Sequence, residues 1–166
     1  MMEKIPFTPQ GLETIKQELA HLKGSERQDV IRAIADAREH GDLSENAEYH
    51  AAREKQSFIE GRISELEDVT SRAEVVDTAK LTGDKVTFGT TVGVADEDTD
   101  EESTYHIVGP YEADISIGLV STSSPIARGL IGKTVGDSAE VQTPGGIKSY
   151  EIISIALFDM SKVGKS

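Results

Sequence analysis

Apolar side chains in the first half of the chain recur at helical spacing. Leu12, Ile15, Leu19 and Leu22 are followed by Val30, Ile34 and Ala37. Steps of three and four place them on one helix face. The step from Leu19 to Val30 is eleven residues. It reads as a heptad plus a four-residue stutter, which locally unwinds a supercoil. Gly24-Ser25 lies inside that gap and predicts a bend. Thr8 and Pro9 open the pattern as N-cap and first helical residue. A second series holds the same spacing after a break: Tyr49, Ala52, Gln56, Ile59, Ile63, Leu66, Thr70 and Ala73. Folding the two series antiparallel sets Leu22 against Leu66, Val30 against Ile59, Ile34 against Gln56 and Ala37 against Ala52. Residues 1–76 are therefore expected to form an antiparallel coiled-coil hairpin. Arms of about 30 residues would make a rod of roughly 45 Å. A stalk for self-association would carry the same pattern.

From Asp77 the period changes to short β-type runs separated by turn residues. The expected strands are Lys85–Ala95, Ser103–Gly109, Ile117–Val120, Ser138–Thr143 and Ile147–Leu157. Asp96 to Glu102 is an acidic run that reads as a solvated hairpin loop, without the glycine and terminal glutamate of a calcium-binding loop. Pro144-Gly145-Gly146 reads as a turn. Ser124-Pro125 opens a short capped helix ending near Gly132. One helix on an antiparallel sheet predicts an α+β domain over 77–160, with a disordered tail over 161–166.

Composition narrows the function. There is no Cys, which excludes disulfides and thiol catalysis. No apolar run approaches the ~20 residues of a membrane span, and the first residues lack the layout of a secretory signal. A cytoplasmic protein is expected. The net charge is −13, and both halves are acidic. Nucleic-acid contact would need a local basic cluster or a protein partner.

The break between the two helical series reads Gly41-Asp42-Leu43-Ser44-Glu45-Asn46. Asp42-x-x-Glu45 has the form of a capping box, with Asp42 capping the second helix and Glu45 reaching back. Two carboxylates at a rod tip also suit Mg²⁺, which takes carboxylates plus water or phosphate oxygens. Two acids make an incomplete site, so other ligands would have to come from elsewhere. Arg38 and Arg53 should lie nearly across from each other as a basic patch, with Lys55 further along. A solvated face balanced by Glu39, Glu48 and Glu54 is the alternative. His40 and His50 flank the tip at a spacing unlike a zinc signature. Ser121, Ser123 and Ser124 lack a nucleophile-elbow context.

Three separated motifs carry a resemblance. AREHGDLSENAEYHAARE at 37–54, SPIARGLIGK at 124–133 and TPGG at 143–146 are similar to those of the Gre transcript-cleavage factors. Leu43 and the run Glu48-Tyr49-His50 resemble the GreA type. The resemblance implies a hairpin that enters the secondary channel of bacterial RNA polymerase, and an FKBP-like C-terminal domain that docks at the channel rim. It implies that Asp42 and Glu45 share a Mg²⁺ with the polymerase, with no cofactor bound to the factor alone. It implies cleavage of the 3′ end of backtracked nascent RNA by the polymerase, so that the factor is an accessory and not an enzyme. Arg38 and Arg53 match RNA-facing positions, and Ser121, Ser123, Ser124 and Pro125 match the polymerase-docking region. The acting form would be a monomer, with no membrane partner. Two alternatives stay open: a channel-occupying regulator without cleavage, and a prolyl isomerase or chaperone on a stalk.

Overall fold

The computed structural model describes residues 3–77, 81–160 and 163. The chain forms two compact units: Leu12–Ala73, and Glu3–Gly11 together with Glu74–Ser166. The sequence suggested a single division near residue 76. Instead, the N-terminal segment belongs with the sheet. The expected disordered tail over 161–166 lies outside the described residues except Val163, which packs on the cluster of Val108, Leu119 and Phe158.

The helical unit is built from α1 (Pro9–His21, whose first turn lies in the other unit), α2 (Arg27–Arg38) and α3 (Ala47–Ser71). Val30, Ile59 and Ile63 form a buried cluster, with Leu19 and Leu22 packed against it. Ile34, Ala37, Ala52, Leu66 and Val69 are also buried. Full burial of one large aliphatic side chain stabilises by about 1.5–3 kcal/mol. Two ion pairs flank the seam and give its direction. Arg62 reaches Glu18 at 3.0 Å, and Arg27 grips Glu60 with two bonds of 2.8 Å. As one partner's number rises the other's falls, so the helices run antiparallel. Near its end the seam takes Val69, while the expected Thr70 is only half-buried. A period of 3.6 residues drifts from a strict heptad in this way.

Between α1 and α2 the helix does not break. Leu22–Glu26 is a π-helical segment, in which the Arg27 N–H reaches the Leu22 carbonyl five residues back. Continuing the heptad frame from Leu22 would put Asp29, Ala33 and Asp36 on the seam. One extra residue in the winding brings Val30, Ile34 and Ala37 there instead. The eleven-residue gap is thus absorbed as a single-residue insertion, not as the four-residue stutter that its length suggested.

The other unit carries a five-stranded sheet ordered β5-β4-β3-β7-β6. Its strands are β3 (Thr90–Asp96), β4 (Glu102–Val108), β5 (Leu119–Ser121), β6 (Ser138–Thr143) and β7 (Gly146–Leu157). The sheet is not purely antiparallel, because β5 runs parallel to β4, with Ile107 opposite Val120. The connection through Ile115–Ile117 carries the chain back so that β5 starts at the same end as β4. The strand expected from Lys85 begins only at Thr90, after Gly89 at φ +88°. The acidic run is a hairpin loop, closed by Asp96 N–H to the Glu101 carbonyl at 2.9 Å. Helix α4 (Pro125–Leu130) follows its Ser124 cap, whose Oγ accepts from Ala127 N–H at 3.3 Å. It packs closely over β6, since a β-carbon on Gly129 would meet the Glu140 carbonyl at 2.6 Å. The core comprises Val86, Val92, Val94, Ile107, Val120, Ala127, Leu130, Ala139 and Ile152.

Two short strands escaped the sequence reading. β1 (Ile5–Phe7) pairs with β2 (Ala73–Val75), and Val76 N–H reaches the Phe7 carbonyl at 2.9 Å. Next to β1, Thr8 caps α1 as expected, accepting from Gly11 N–H at 3.0 Å. Thr8 also donates its N–H and hydroxyl to the two oxygens of Glu112, at 2.8 and 2.5 Å. A β-carbon on Gly109 would collide with the Pro6 carbonyl. Gly109→Ala should therefore lower the melting temperature through this backbone contact, by a loss of ~1–3 kcal/mol. A melt matching the parent would refute the contact.

Burial pushes the Glu112 carboxyl above its usual value of 4.5, against the hydrogen bonds from Thr8 and Gly109 that pull it down. With the folded value above the unfolded one, the native state holds the proton more tightly. Stability from this group is therefore full below the usual value and declines as pH rises through the raised one. Melts of the parent and Glu112→Gln across pH 4 to 7 should show the variant gaining on the parent as pH rises. A pH-independent difference would contradict this.

Candidate functional site

The link between α2 and α3 reverses the chain in few residues, and each step has a local cause. Glu39 and His40 end α2 with bonds of 3.2 Å to the Asp36 and Ala37 carbonyls. Gly41 follows at φ +101°, a conformation open to glycine and costly for other residues. Asp42 then caps a 3₁₀ turn, Leu43–Glu45. Its Oδ1 accepts from the Ser44 N–H at 3.0 Å and the Ser44 hydroxyl at 2.8 Å. These bonds hold the Asp42 carboxyl below the usual aspartate range, hydroxyl first and amide second.

Asp42 does not cap the second helix, as the capping-box reading had it. The cap is Asn46, whose Oδ1 accepts from Tyr49 N–H at 3.0 Å. The amide's other arm donates from Nδ2 to the Ala37 carbonyl at 2.7 Å. The 3₁₀ turn between Asp42 and Asn46 displaces the helix start by a few residues, so Glu45 sits ahead of the cap and cannot reach back from the third helical position. His50 supports the turn from α3, with Nε2 donating to the Ser44 carbonyl at 3.1 Å. Asp42 and Glu45 are both solvent-exposed. They sit on one short turn whose backbone is fixed on both sides. The sequence reading gave Asn46 and Ser44 no bracing role, and it set His50 beside the tip without its bond to the Ser44 carbonyl.

The basic residues are placed differently from each other. The Arg38 guanidinium lies 5.9 Å from the centre of the Tyr49 ring, a cation–π distance. Arg53 donates to Gln56 at 3.4 Å along its own helix. Both are exposed, and Tyr49, which carries Arg38, precedes Arg53 by one turn of α3. Lys55 is tied to Glu26 at 3.7 Å. His40 is exposed and His50 is engaged with Ser44, so the pair is not assembled.

In the sheet unit, the predicted serine run is assembled as a turn. The Ser121 and Ser123 hydroxyls lie 2.9 Å apart, and Ser124 donates its hydroxyl to the Ser121 carbonyl at 2.7 Å. Ser121, Ser124 and Pro125 border an apolar cleft of about 480 Å³, with Tyr105, Ile126 and Tyr150. Ser123 is exposed beside it.

Oxygen donors of the tip suit a hard cation. Asp42 Oδ1 is engaged by Ser44, which leaves Oδ2 and the Glu45 carboxylate facing solvent. Among the described residues no three acid or imidazole side chains gather to hold a metal. Two carboxylates on one turn supply part of the oxygen set that Mg²⁺ takes. No described helix is long and apolar enough to cross a membrane.

Comparison with known proteins adds an independent line. Residues 5–75 match the family model "Transcription elongation factor, N-terminal", and residues 81–157 match "Transcription elongation factor, GreA/GreB, C-term". Transcription elongation factor GreA of Rhodospirillum rubrum is 64% identical over 154 residues, covering 93% of this chain and 98% of its own. The GreA proteins of Rickettsia bellii and Brucella canis are 61% and 62% identical, with 93% of this chain and 96% and 98% of theirs covered. A solved structure of the transcription factor Gfh1 is 27% identical over 93% of this chain and 99% of its own, with a TM-score of 0.46. With both family regions matched in order and relatives above 60% identity, the chain belongs to the GreA/GreB family of transcription elongation factors.

Proposed function

We propose that this protein is a transcript-cleavage factor of bacterial RNA polymerase. The observation that carries the reading is the pair of exposed carboxylates, Asp42 and Glu45, on a braced turn where two antiparallel helices meet, in a chain of the GreA/GreB family. The helical unit acts as a coiled-coil rod in the polymerase secondary channel. It brings the tip to the active centre, where the 3′ end of backtracked RNA lies. The FKBP-like sheet unit docks at the channel rim through Ser121, Ser123, Ser124 and Pro125 beside the apolar cleft. The protein works as a cytoplasmic monomer and completes the polymerase's own nuclease.

Asp42 and Glu45 would hold a Mg²⁺ together with polymerase groups, and such an ion lowers the pKa of a bound water and makes it a nucleophile. The chain's own part is to supply charge in a fixed place. Ser44 engages one oxygen of Asp42 and leaves the second for the ion, while Glu45 follows on the same turn. Arg38 is held against Tyr49 with its charge at the base of the tip. Arg53 offers a second cation to RNA phosphates.

Combined Asp42→Asn and Glu45→Gln substitution tests this reading. The amide oxygen introduced by Asp42→Asn can still accept from the Ser44 N–H, and Glu45→Gln preserves side-chain shape, so the turn should survive. Stimulated cleavage in stalled elongation complexes should fall at least about tenfold, with helical content unchanged by circular dichroism. Undiminished cleavage would overturn the proposal. In a separate measurement, Arg53→Ala should weaken the effect of the factor on backtracked complexes, and more so as salt falls. Equal activity at every salt concentration would remove Arg53 from the RNA contact.

A further inference from the structure

The bridge made by Asn46 is stronger than a cap requires. A cap needs one acceptor for an amide of the first turn, and Asp, Ser or Thr would serve. At this position the side chain accepts from Tyr49 N–H with one arm and donates to the Ala37 carbonyl with the other. The Ala37 carbonyl belongs to the last turn of α2 and already accepts from the His40 N–H at 3.2 Å, so Asn46 takes its second lone pair. A carboxylate can only accept, and a serine hydroxyl has one short oxygen, so neither reproduces both bonds.

We propose that Asn46 is a positioning residue for the tip acids: its amide staples the end of α2 to the start of α3 and so fixes the loop carrying Asp42 and Glu45. The two bonded residues, Ala37 and Asn46, bracket the whole link, including Gly41 and the 3₁₀ turn. Besides the staple, the base of the link has the buried but small side chains of Ala37 and Ala52 and the contact of Arg38 with the Tyr49 ring, neither of which fixes the backbone by a hydrogen bond. The turn's remaining bonds are local to residues 42–46, apart from His50 to the Ser44 carbonyl. They can shape the turn but cannot fix it to α2. The charge itself is untouched by Asn46, so its contribution lies in where the carboxylates are held. This inference rests on the proposed cleavage function for its activity readout, while its structural readout stands alone.

Asn46→Ser retains a capping oxygen and loses the reach to Ala37, and Asn46→Asp retains the cap but not the donor. In the free full-length proteins, amide hydrogen exchange by NMR at residues 43–46 should speed up at least about tenfold in both variants, with the rest of α3 unchanged. In stalled elongation complexes, the Mg²⁺ concentration for half-maximal cleavage should rise about three- to tenfold. The factor concentration for half-maximal effect should stay constant, because the docking surface is intact. Parent-like exchange in both variants would overturn the staple. Faster exchange with parental Mg²⁺ dependence would overturn its role in positioning. If the protein carrying both Asp42→Asn and Glu45→Gln still stimulated cleavage, the cleavage reading would fall, and the exchange data would still decide whether the staple exists.

Discussion

Two helix ends that face each other across a short link must find partners for their spare backbone groups. The last turn of α2 has carbonyls to satisfy and the first turn of α3 has amides. One asparagine side chain serves both ends, accepting from the Tyr49 N–H and donating to the Ala37 carbonyl, which also takes the His40 N–H. Once the ends are joined, the residues between them have little freedom. Gly41 takes the left-handed turn, Asp42 bends around Ser44, and both acids stay in solvent. The chemistry proposed for the tip depends on this closure, because a bare charge on a loose loop would not deliver a ligand to a chosen place.

The helical unit solves a second problem along its length. Its seam must stay in phase although the apolar spacing slips by one residue between Leu22 and Val30. A π-helical segment takes up the slip without breaking the helix. The result keeps Val30 on Ile59 and Ile63. Bidentate pairing of Arg27 with Glu60 sits just beyond the segment. It favours the same register, though as an exposed pair it adds little beside the buried seam. The hydrogen bond from Arg27, helped by its charge, also holds the Glu60 carboxyl below its usual range.

Much of this was legible in the sequence. The heptad spacing revealed the helices, their direction and most of the buried positions, because a 3–4 pattern has few other solutions. The Ser124-Pro125 start of α4 and the strands from Ser138 onward followed from turn chemistry. The cap of α3 did not, since Asp42 and Asn46 both precede a plausible helix and spacing alone cannot see a 3₁₀ turn between them. β1 is three residues long and contains Pro6, so no alternation could reveal it. The parallel β4–β5 pair depends on how residues 109–118 cross over, which is a non-local matter. Arg38 and Arg53 were matched by position along the helices, which does not give the side-chain contacts they make with Tyr49 and Gln56.

The first residues of the chain have a consequence for how the protein can be cut. β1 pairs with β2, and Thr8 supplies both donors to the half-buried carboxylate of Glu112. Residues 3–11 are thus a piece of the sheet unit delivered from the far end of the sequence. An expression fragment beginning after α3 would carry Glu112 with its Thr8 donors gone, and β2 without its neighbour. A faithful minimal sheet unit has to be a spliced chain, in which residues 3–11 are reconnected to residue 74 by a linker in place of the helices.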